Sequence, residues 1–377
     1  MVQLAVRQLH ADPLRSALTM AAIAAVIAVI LVLRGFEQGL YQQSRDAVLG
    51  RGADLFVVQS GVQNFVAVRS SLRQLARRDV EEVPGVAEAH PITSFSVIYE
   101  KDSRKVPIYL MVYDKAGGPG RLVEGHAARS ARDAVIDHSL ARKYGLRVGD
   151  PLTVAAFDFT ISGIADREAA FFMSFVFVTY DGLLDFVFES DIAPDLSAFP
   201  LVSHLLVELE PGADPDEVRS AIEAAVADLD TYLPNEMAQR DVEMGQSLFG
   251  PIMGLLAQVA YAVGLLVVGL IAYADVRAQR RSFGVLKALG FRLRHLATTV
   301  IVKMCILLIA ALPVAALIAL GVAEFIETVA PLYRVPALES SGLVETFLAG
   351  VVFALLGAML PLRSLKNIDP ASAFRGT

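Results

Sequence analysis

Met244–Ala274 reads MGQSLFGPIMGLLAQVAYAVGLLVVGLIAYA, and the stretch after it, Asp275–His295, reads DVRAQRRSFGVLKALGFRLRH. The first contains thirty-one residues without one Asp, Glu, Lys or Arg. About 20 apolar residues suffice to carry a helix across a bilayer, so this run is a membrane span. The second carries Arg277, Arg280, Arg281, Lys287, Arg292 and Arg294 against Asp275 alone. Short basic connections stay on the cytoplasmic side. The junction therefore gives both a span and its direction.

Working outward, the chain is 55% hydrophobic and 19% charged, more apolar and less charged than a soluble domain. The excess is concentrated in four runs: Ser16–Leu33, Met244–Ala274, Met304–Ala323 and Thr346–Leu362. The last is the shortest, so its helix is expected to extend past a flanking charge or to cross a thin region. The first exceeds the 7–15 apolar residues of a signal-peptide core, and Arg34-Gly35-Phe36-Glu37 offers no small-x-small cleavage site. It reads as a retained span.

Charge sets the topology. Arg7 and Arg15 outweigh Asp12 before the first run, and Arg363, Lys366 and Arg375 outweigh Asp369 after the last. The connection from Glu324 to Glu345 is acidic, and Arg34–Glu243 carries a net of −13 within a chain of net −7. The inside-positive rule places both termini and the basic connection in the cytoplasm and the large acidic segment outside. Four crossings satisfy that arrangement. Lys303 falls at the cytoplasmic end of its span, where its stem is expected to snorkel to the interface.

The outer segment is long enough for its own core. Ala53–Gln59, Phe95–Glu100 and Val106–Val112 read as strands, Ser203–Glu210 is an alternating strand, and Ser71–Val83 reads as a helix closed by Pro84-Gly85. Asp214-Pro215 caps and starts a helix running to about Leu229. Between these halves lies an insertion. It holds a strand at Ala134–Asp137, a helix at Ser139–Tyr144 stopped by Gly145, and a hairpin of Leu152–Ala156 with Phe159–Ile164 around Asp158. The aromatic run Phe171–Tyr180 reads as a buried strand rather than a lipid contact. The one cysteine, Cys305, lies in a span, so no intrachain disulfide braces the outer segment.

Motifs of catalysis are missing. The chain has no G-x-x-x-x-G-K-[ST], no H-E-x-x-H and no G-x-S-x-G. Asp137-His138-Ser139 has the residue types of a triad, but sequence neighbours rarely face one another productively. His126 and His138 are too far apart for a helical ligand pair. Inside-positive bias accounts for the basic connection, so nucleic acid is not implied. From Val276 to Leu289 the apolar residues Val276, Phe283, Leu286 and Leu289 recur near helical spacing among arginines. Such a helix either docks a partner groove or lies on anionic lipid.

Four segments carry a resemblance. Arg281-Ser282-Phe283-Gly284-Val285-Leu286-Lys287-Ala288-Leu289-Gly290 resembles the R-E-x-G-x-L-K-A-L-G segment of MacB/FtsX-like ABC transporter permeases, with Ser282 where the family usually has an acidic residue. Pro13-Leu14-Arg15-Ser16-Ala17-Leu18-Thr19 is similar to their entry to the first span. Pro361-Leu362-Arg363 with Ile368-Asp369-Pro370-Ala371-Ser372-Ala373-Phe374-Arg375 is similar to their cytoplasmic C-terminal ending. Ser139–Asp150, SLARKYGLRVGD, resembles an outer-domain motif of the same family. Within the family, Gly52-Ala53-Asp54-Leu55-Phe56-Val57-Val58 and the overall length resemble the DevC-type permeases.

The resemblance implies a helical membrane protein with four transmembrane helices in a one-plus-three arrangement. A large α+β extracytoplasmic domain of porter-like and β-rich lobes completes it. Residues 1–43 would hold the N-terminus and first span, and 44–240 a MacB-like periplasmic domain with an insertion lobe over about 120–200. Residues 241–377 would form an FtsX-like domain with three spans and a cytoplasmic coupling helix. Arg277, Arg280, Arg281, Phe283, Gly284, Leu286, Lys287, Leu289 and Gly290 would contact a separate ATPase, and Arg363, Asp369 and Pro370 would form the C-terminal motif. The chain itself would be non-catalytic and bind no cofactor, while two ATPase copies would hold ATP and Mg.

A second permease copy, as a homodimer, and a periplasmic adaptor with an outer-membrane channel are the further partners implied, at the bacterial inner membrane. The implied activity is mechanotransmission: ATP-driven motion moves the outer domains and exports or extracts a lipidic or amphiphilic substrate. FtsX-like permeases of the same build instead relay ATPase motion to a periplasmic cell-wall hydrolase without transport.

Overall fold

The computed structural model describes residues 7, 9, 12–66, 70–73, 75–101, 104–191 and 202–366, with backbone alone at 280, 293, 340, 341 and 358–366. Its helices are α1 (Pro13–Leu49), α2 (Ala76–Glu81), α3 (His138–Tyr144), α4 (Tyr180–Glu189), α5 (Pro215–Ala225), α6 (Pro234–Ala278), α7 (Arg280–Ala288), α8 (Leu293–Val329) and α9 (Ser340–Lys366). Its strands are β1 (Leu55–Gln59), β2 (Val86–Lys101), β3 (Arg104–Tyr113), β4 (Leu122–Gly125), β5 (Asp133–Asp137), β6 (Pro151–Val154), β7 (Phe157–Ala165), β8 (Ala169–Ala170), β9 (Met173–Thr179), β10 (His204–Leu209) and β11 (Leu229–Tyr232). Two compact units result: Met1–Gln38 with Pro251–Ile326 and Val335–Thr377, and Gly39–Gly250 with Glu327–Arg334.

The first unit is helical. Among the described residues α1, α6 and α8 are long and apolar enough to cross a bilayer, and the apolar part of α9, Gly342–Gly357, is shorter. Lipid tails give helices no hydrophobic reason to associate, so close packing of small side chains must do it. Ala24 and Ala28 of α1, Ala272 of α6 and Ala311, Ala315 and Ala319 of α8 are accordingly buried in one cluster. Gly264 marks a close approach: a methyl there would stand 2.8 Å from the Phe353 ring and 2.9 Å from Val26.

The fourth apolar helix starts before its charge-free run. Helix α9 begins at Ser340, so Glu345 lies inside it. Arg34 makes this tolerable. Its guanidinium donates to Glu345 and, at 2.8 Å, to Glu37, while the Tyr261 hydroxyl stands 3.2 Å from Glu345. One cation and one phenol thus satisfy a carboxylate close to the apolar run.

The second unit is built on one sheet, ordered β11-β1-β10-β2-β3-β9-β5-β7-β4, with β6 pairing β2 and β7 and with β8 on β9. The long β2 pairs β10 at its start and β3 along its whole later length, from Ile92↔Tyr113 to Lys101↔Arg104. It therefore serves two cores. At one end α2 and α5 cover Leu55, Val57, Ala89, Leu205 and Val207. At the other, Leu140 of α3 and Phe186 of α4 pack with Ile108, Leu110, Ile136, Phe157 and Phe159.

Several local expectations shift. The helix expected over Ser71–Val83 is confined to Ala76–Glu81. The one expected to reach Leu229 stops at Ala225, because Leu229–Tyr232 is drawn into the sheet as an edge strand on β1. The hairpin turns at Ala155-Ala156, not at Asp158, with φ of 49° and 64°. Two-residue hairpin loops of this kind need positive φ at both positions. Asp158 instead accepts a 2.6 Å hydrogen bond from Thr153. Phe171 and Phe172 form a tight turn, and the buried strand of that aromatic run is Met173–Thr179.

Candidate functional site

Helix α6 ends at Ala278, and Gln279 breaks it with φ −97° and ψ 15° before α7 begins. Gly290, at φ 89°, ends α7. Its amide donates to Lys287 O, and Phe291 N donates to Leu286 O, both at 3.1 Å. This left-handed cap needs a residue free of Cβ strain, so Gly290 has a stated structural task. Phe283 is 1% exposed and packs with Val276, Leu296 and Val300, with Leu286 and Ile301 partly buried against them. Gly284 is buried beside it.

Phe283 is one of the residues expected from the resemblance to contact a separate ATPase. It turns inward and anchors α7 to α6 and α8. The side chains left exposed include Arg277, Arg281, Ser282, Val285 and Leu289, and Leu289 is 70% exposed. Phe291, just beyond α7, is also exposed. Lys287 is half-buried. Arg280 has a described backbone only, as has Arg363 on α9, and Asp369 and Pro370 lie outside the described residues. The apolar tip is therefore Val285, Leu289 and Phe291, displaced toward the C-terminal end of α7.

Beside this helix lies a buried charge cluster. Lys303 Nζ donates to both Asp275 oxygens at 2.8 Å, and Gln279 Nε2 donates to Asp275 Oδ1 at 3.0 Å. Arg15 donates to Ala274 O at 2.8 Å and holds its Nε 3.8 Å from Asp275. Together with Asp12, Ser16, Thr19 and Ser282 these groups line a cavity of about 260 Å³. The expectation that Lys303 snorkels is corrected: a carboxylate within reach satisfies its ammonium inside the bundle. Asp275 was the signal in the sequence, an acid closing a long uncharged run, but its partner is set by helix packing.

The second unit holds its own buried pair. Arg51 donates to Glu168, to Ala47 O at 3.0 Å, and to Gly117 O and Gly118 O at 3.0 and 2.7 Å, beneath the Phe177 ring at 4.8 Å. Gly120 N donates to Glu168 at 2.6 Å. Burial pushes the Glu168 carboxyl above the usual carboxylate range, and the Arg51 charge opposes that push. The triad-like residues do something else. Asp137 caps α3 by accepting from Ser139 N at 2.8 Å and from Glu168 N at 2.8 Å, and the Ser139 hydroxyl meets Ser174 Oγ at 2.8 Å. The Ser139 hydroxyl also donates to Asp137, and among the described residues His138 makes no hydrogen bond to either, so the three do not line up as a Ser-His-Asp relay.

Comparison with known proteins bears on this arrangement. A family model of the MacB-like periplasmic core domain matches residues 16–225, and one of the FtsX-like permease C-terminal region matches residues 254–370. An uncharacterized ABC transporter permease of Mycobacterium bovis is 25% identical over 356 residues, covering 93% of each chain. The macrolide export ATP-binding/permease protein MacB of Nitrosomonas europaea is 20% identical over 386 residues, which are 95% of this chain and 56% of that one. The periplasmic region of MacB from Actinobacillus actinomycetemcomitans superposes with a TM-score of 0.37 at 11% identity, over 51% of this chain and 94% of its own. Family membership implies a partner ATPase and a permease that is not itself catalytic. The chain belongs to the MacB/FtsX-like family of ABC transporter permeases, multi-pass membrane proteins with a MacB-like periplasmic domain.

Proposed function

We propose that this permease couples ATP hydrolysis by a separate cytoplasmic ATPase to movement of its periplasmic domain. It thereby drives export or extraction of a lipidic or amphiphilic substrate, working with a periplasmic adaptor. Two permease copies and two ATPase copies would assemble, with both termini in the cytoplasm.

The observation that carries this reading is α7. A nine-residue helix is too short to hold its shape alone in water. Here Phe283 pins it to the spans, and Val285 and Leu289 stay exposed among Arg277 and Arg281. An apolar tip ringed by bases suits a groove with an acidic rim. Because Val276 of α6 and Leu296 and Val300 of α8 form its seat, a push on α7 reaches two apolar helices directly. Helix α1 continues unbroken to Leu49, beyond the apolar run that ends at Leu33, and so can carry a displacement out of the bilayer.

The test is a detergent pull-down of the tagged chain from its native membrane, with mass spectrometry of what accompanies it. An ATPase together with an adaptor is the expected result. An ATPase with a cell-wall hydrolase and no adaptor would assign the chain to a regulatory relay, and absence of any ATPase would remove the coupling reading.

A further inference from the structure

Glu88 of β2 and Glu208 of β10 face each other directly in the antiparallel register. Like charges placed so on a sheet repel, and the pair calls for a cation between them. His90 lies two residues along β2, hence on the same face as Glu88. Its Nε2 is 3.3 Å from Glu208 Oε1 and 3.7 Å from Glu88 Oε2. Both separations exceed the 2.7–3.2 Å of an N–H···O hydrogen bond. His90 is 2% exposed, and its Nδ1 has no hydrogen-bond partner. A buried imidazole so poorly served by the protein is uncommon and needs a cause. The register also breaks between Glu208 and Leu209, a bulge of the sort that re-aims a side chain beside a site.

Nitrogen and oxygen ligands about 2.0–2.2 Å from a tetrahedral zinc ion stand roughly 3.4 Å from one another. The observed 3.3 and 3.7 Å bracket that value, and one ligand atom from each of the three residues lies within 4.8 Å of the others. We propose that Glu88, His90 and Glu208 form a site for a divalent transition-metal ion of the zinc type, with the fourth position open to water. Both glutamates reach solvent, which leaves an entry path, and His90 closes the inner side. Neutral imidazole with two carboxylates matches the donor preference of such ions.

Two features set the affinity. Lys115 Nζ sits 2.5 Å from Glu88 Oε1 and competes for it. Lys115 is largely exposed, so it can swing away at little cost. No acceptor faces Nδ1, and loss of such an outer contact weakens metal sites by about 10–100-fold. The bound ion would clip β2 to β10 and replace their repulsion with two bonds.

Tag-free full-length permease in detergent, stripped with chelator, is titrated with Co²⁺ and then Zn²⁺. One equivalent of Co²⁺ with a visible absorption band, displaced by Zn²⁺, is expected, along with a higher thermal midpoint in Zn²⁺. His90→Ala and the solvent-facing Glu208→Gln should each weaken binding at least tenfold, and Lys115→Ala should tighten it. The proposal is overturned if the wild-type chain takes up no stoichiometric metal. It is equally overturned if folded Glu208→Gln binds as the wild type does.

Discussion

Lys303 Nζ stands 2.8 Å from both carboxylate oxygens of Asp275, and the two side chains are 6% and 8% exposed. The pair joins α8 to the end of α6, where the chain breaks into α7. A buried ion pair contributes little net stability, yet removing one member strands the other charge at a cost of about 3–5 kcal/mol. Lys303→Met is therefore expected to lower the thermal midpoint of the detergent-solubilised permease sharply. Lys303→Met with Asp275→Leu should recover most of the loss. A double variant no better than the single one would deny that the two residues act as a pair.

The inward position of Phe283 separates folding from docking in α7. Phe283→Ala removes a fully buried ring and should cost about 3–5 kcal/mol of stability. Leu289→Asp changes an exposed tip and should leave the stability within about 0.5 kcal/mol of wild type. If α7 is the coupling element, Leu289→Asp abolishes stimulation of the partner ATPase by the intact, inserted permease. Unchanged stimulation would sink that assignment.

Asp241 and His204 hold the same segment and titrate in opposite senses. Asp241 accepts from Phe65 N at 3.1 Å, and burial pushes its carboxyl up to about 7. His204 lies 5.0 Å from the Phe65 ring and 3.4 Å from Asn64 O, and burial pulls it down to about 4. The raised Asp241 binds a proton more tightly when folded, so its stabilisation is full near pH 4 and lost as pH rises toward 7. The depressed His204 does the reverse, stabilising above its unfolded value near 6.5 and losing that contribution as pH falls. Over pH 4–6.5 the two slopes, each up to about 1.4 kcal/mol per unit, offset one another. Asp241→Asn should expose the histidine alone, so that the thermal midpoint falls on acidification from pH 7 to 5 while the wild type changes little.

The hairpin between β6 and β7 carries avoidable strain. Ala155 and Ala156 both hold positive φ, which costs an L-residue with a Cβ roughly 1–2 kcal/mol. Ala155→Asn with Ala156→Gly supplies the residue types this turn favours and should raise the thermal midpoint. A lower midpoint would mean the alanine methyls make contacts that outweigh the strain.

The spans, the basic connection and the large outer segment were legible in the sequence, because charge-free length and inside-positive bias act locally and need no partner. The outer strands at Leu55–Gln59 and His204–Leu209 were legible as well, as short apolar runs, and both are buried along almost their whole length. Short-range signals also ended α3, where Asp137 caps it and Gly145 takes φ 63°. The helix start at Ala76 and the helix end at Ala225 were not legible; at Ala225, pairing of Leu229–Tyr232 with β1 overrode local propensity. Nor could the sequence tell that Phe283 turns inward while Leu289 stays out, for both fall on the same apolar repeat and only the seat formed by Val276, Leu296 and Val300 distinguishes them. Membership of the class, then, was determined by the sequence alone, through composition, spacing and motif order. Which charges pair across the bundle, which side chains remain for a partner, and that Glu88 meets Glu208 beside His90 were decided by the tertiary structure. Those contacts join residues far apart in the chain, and their energies exist only once packing has removed the water between them.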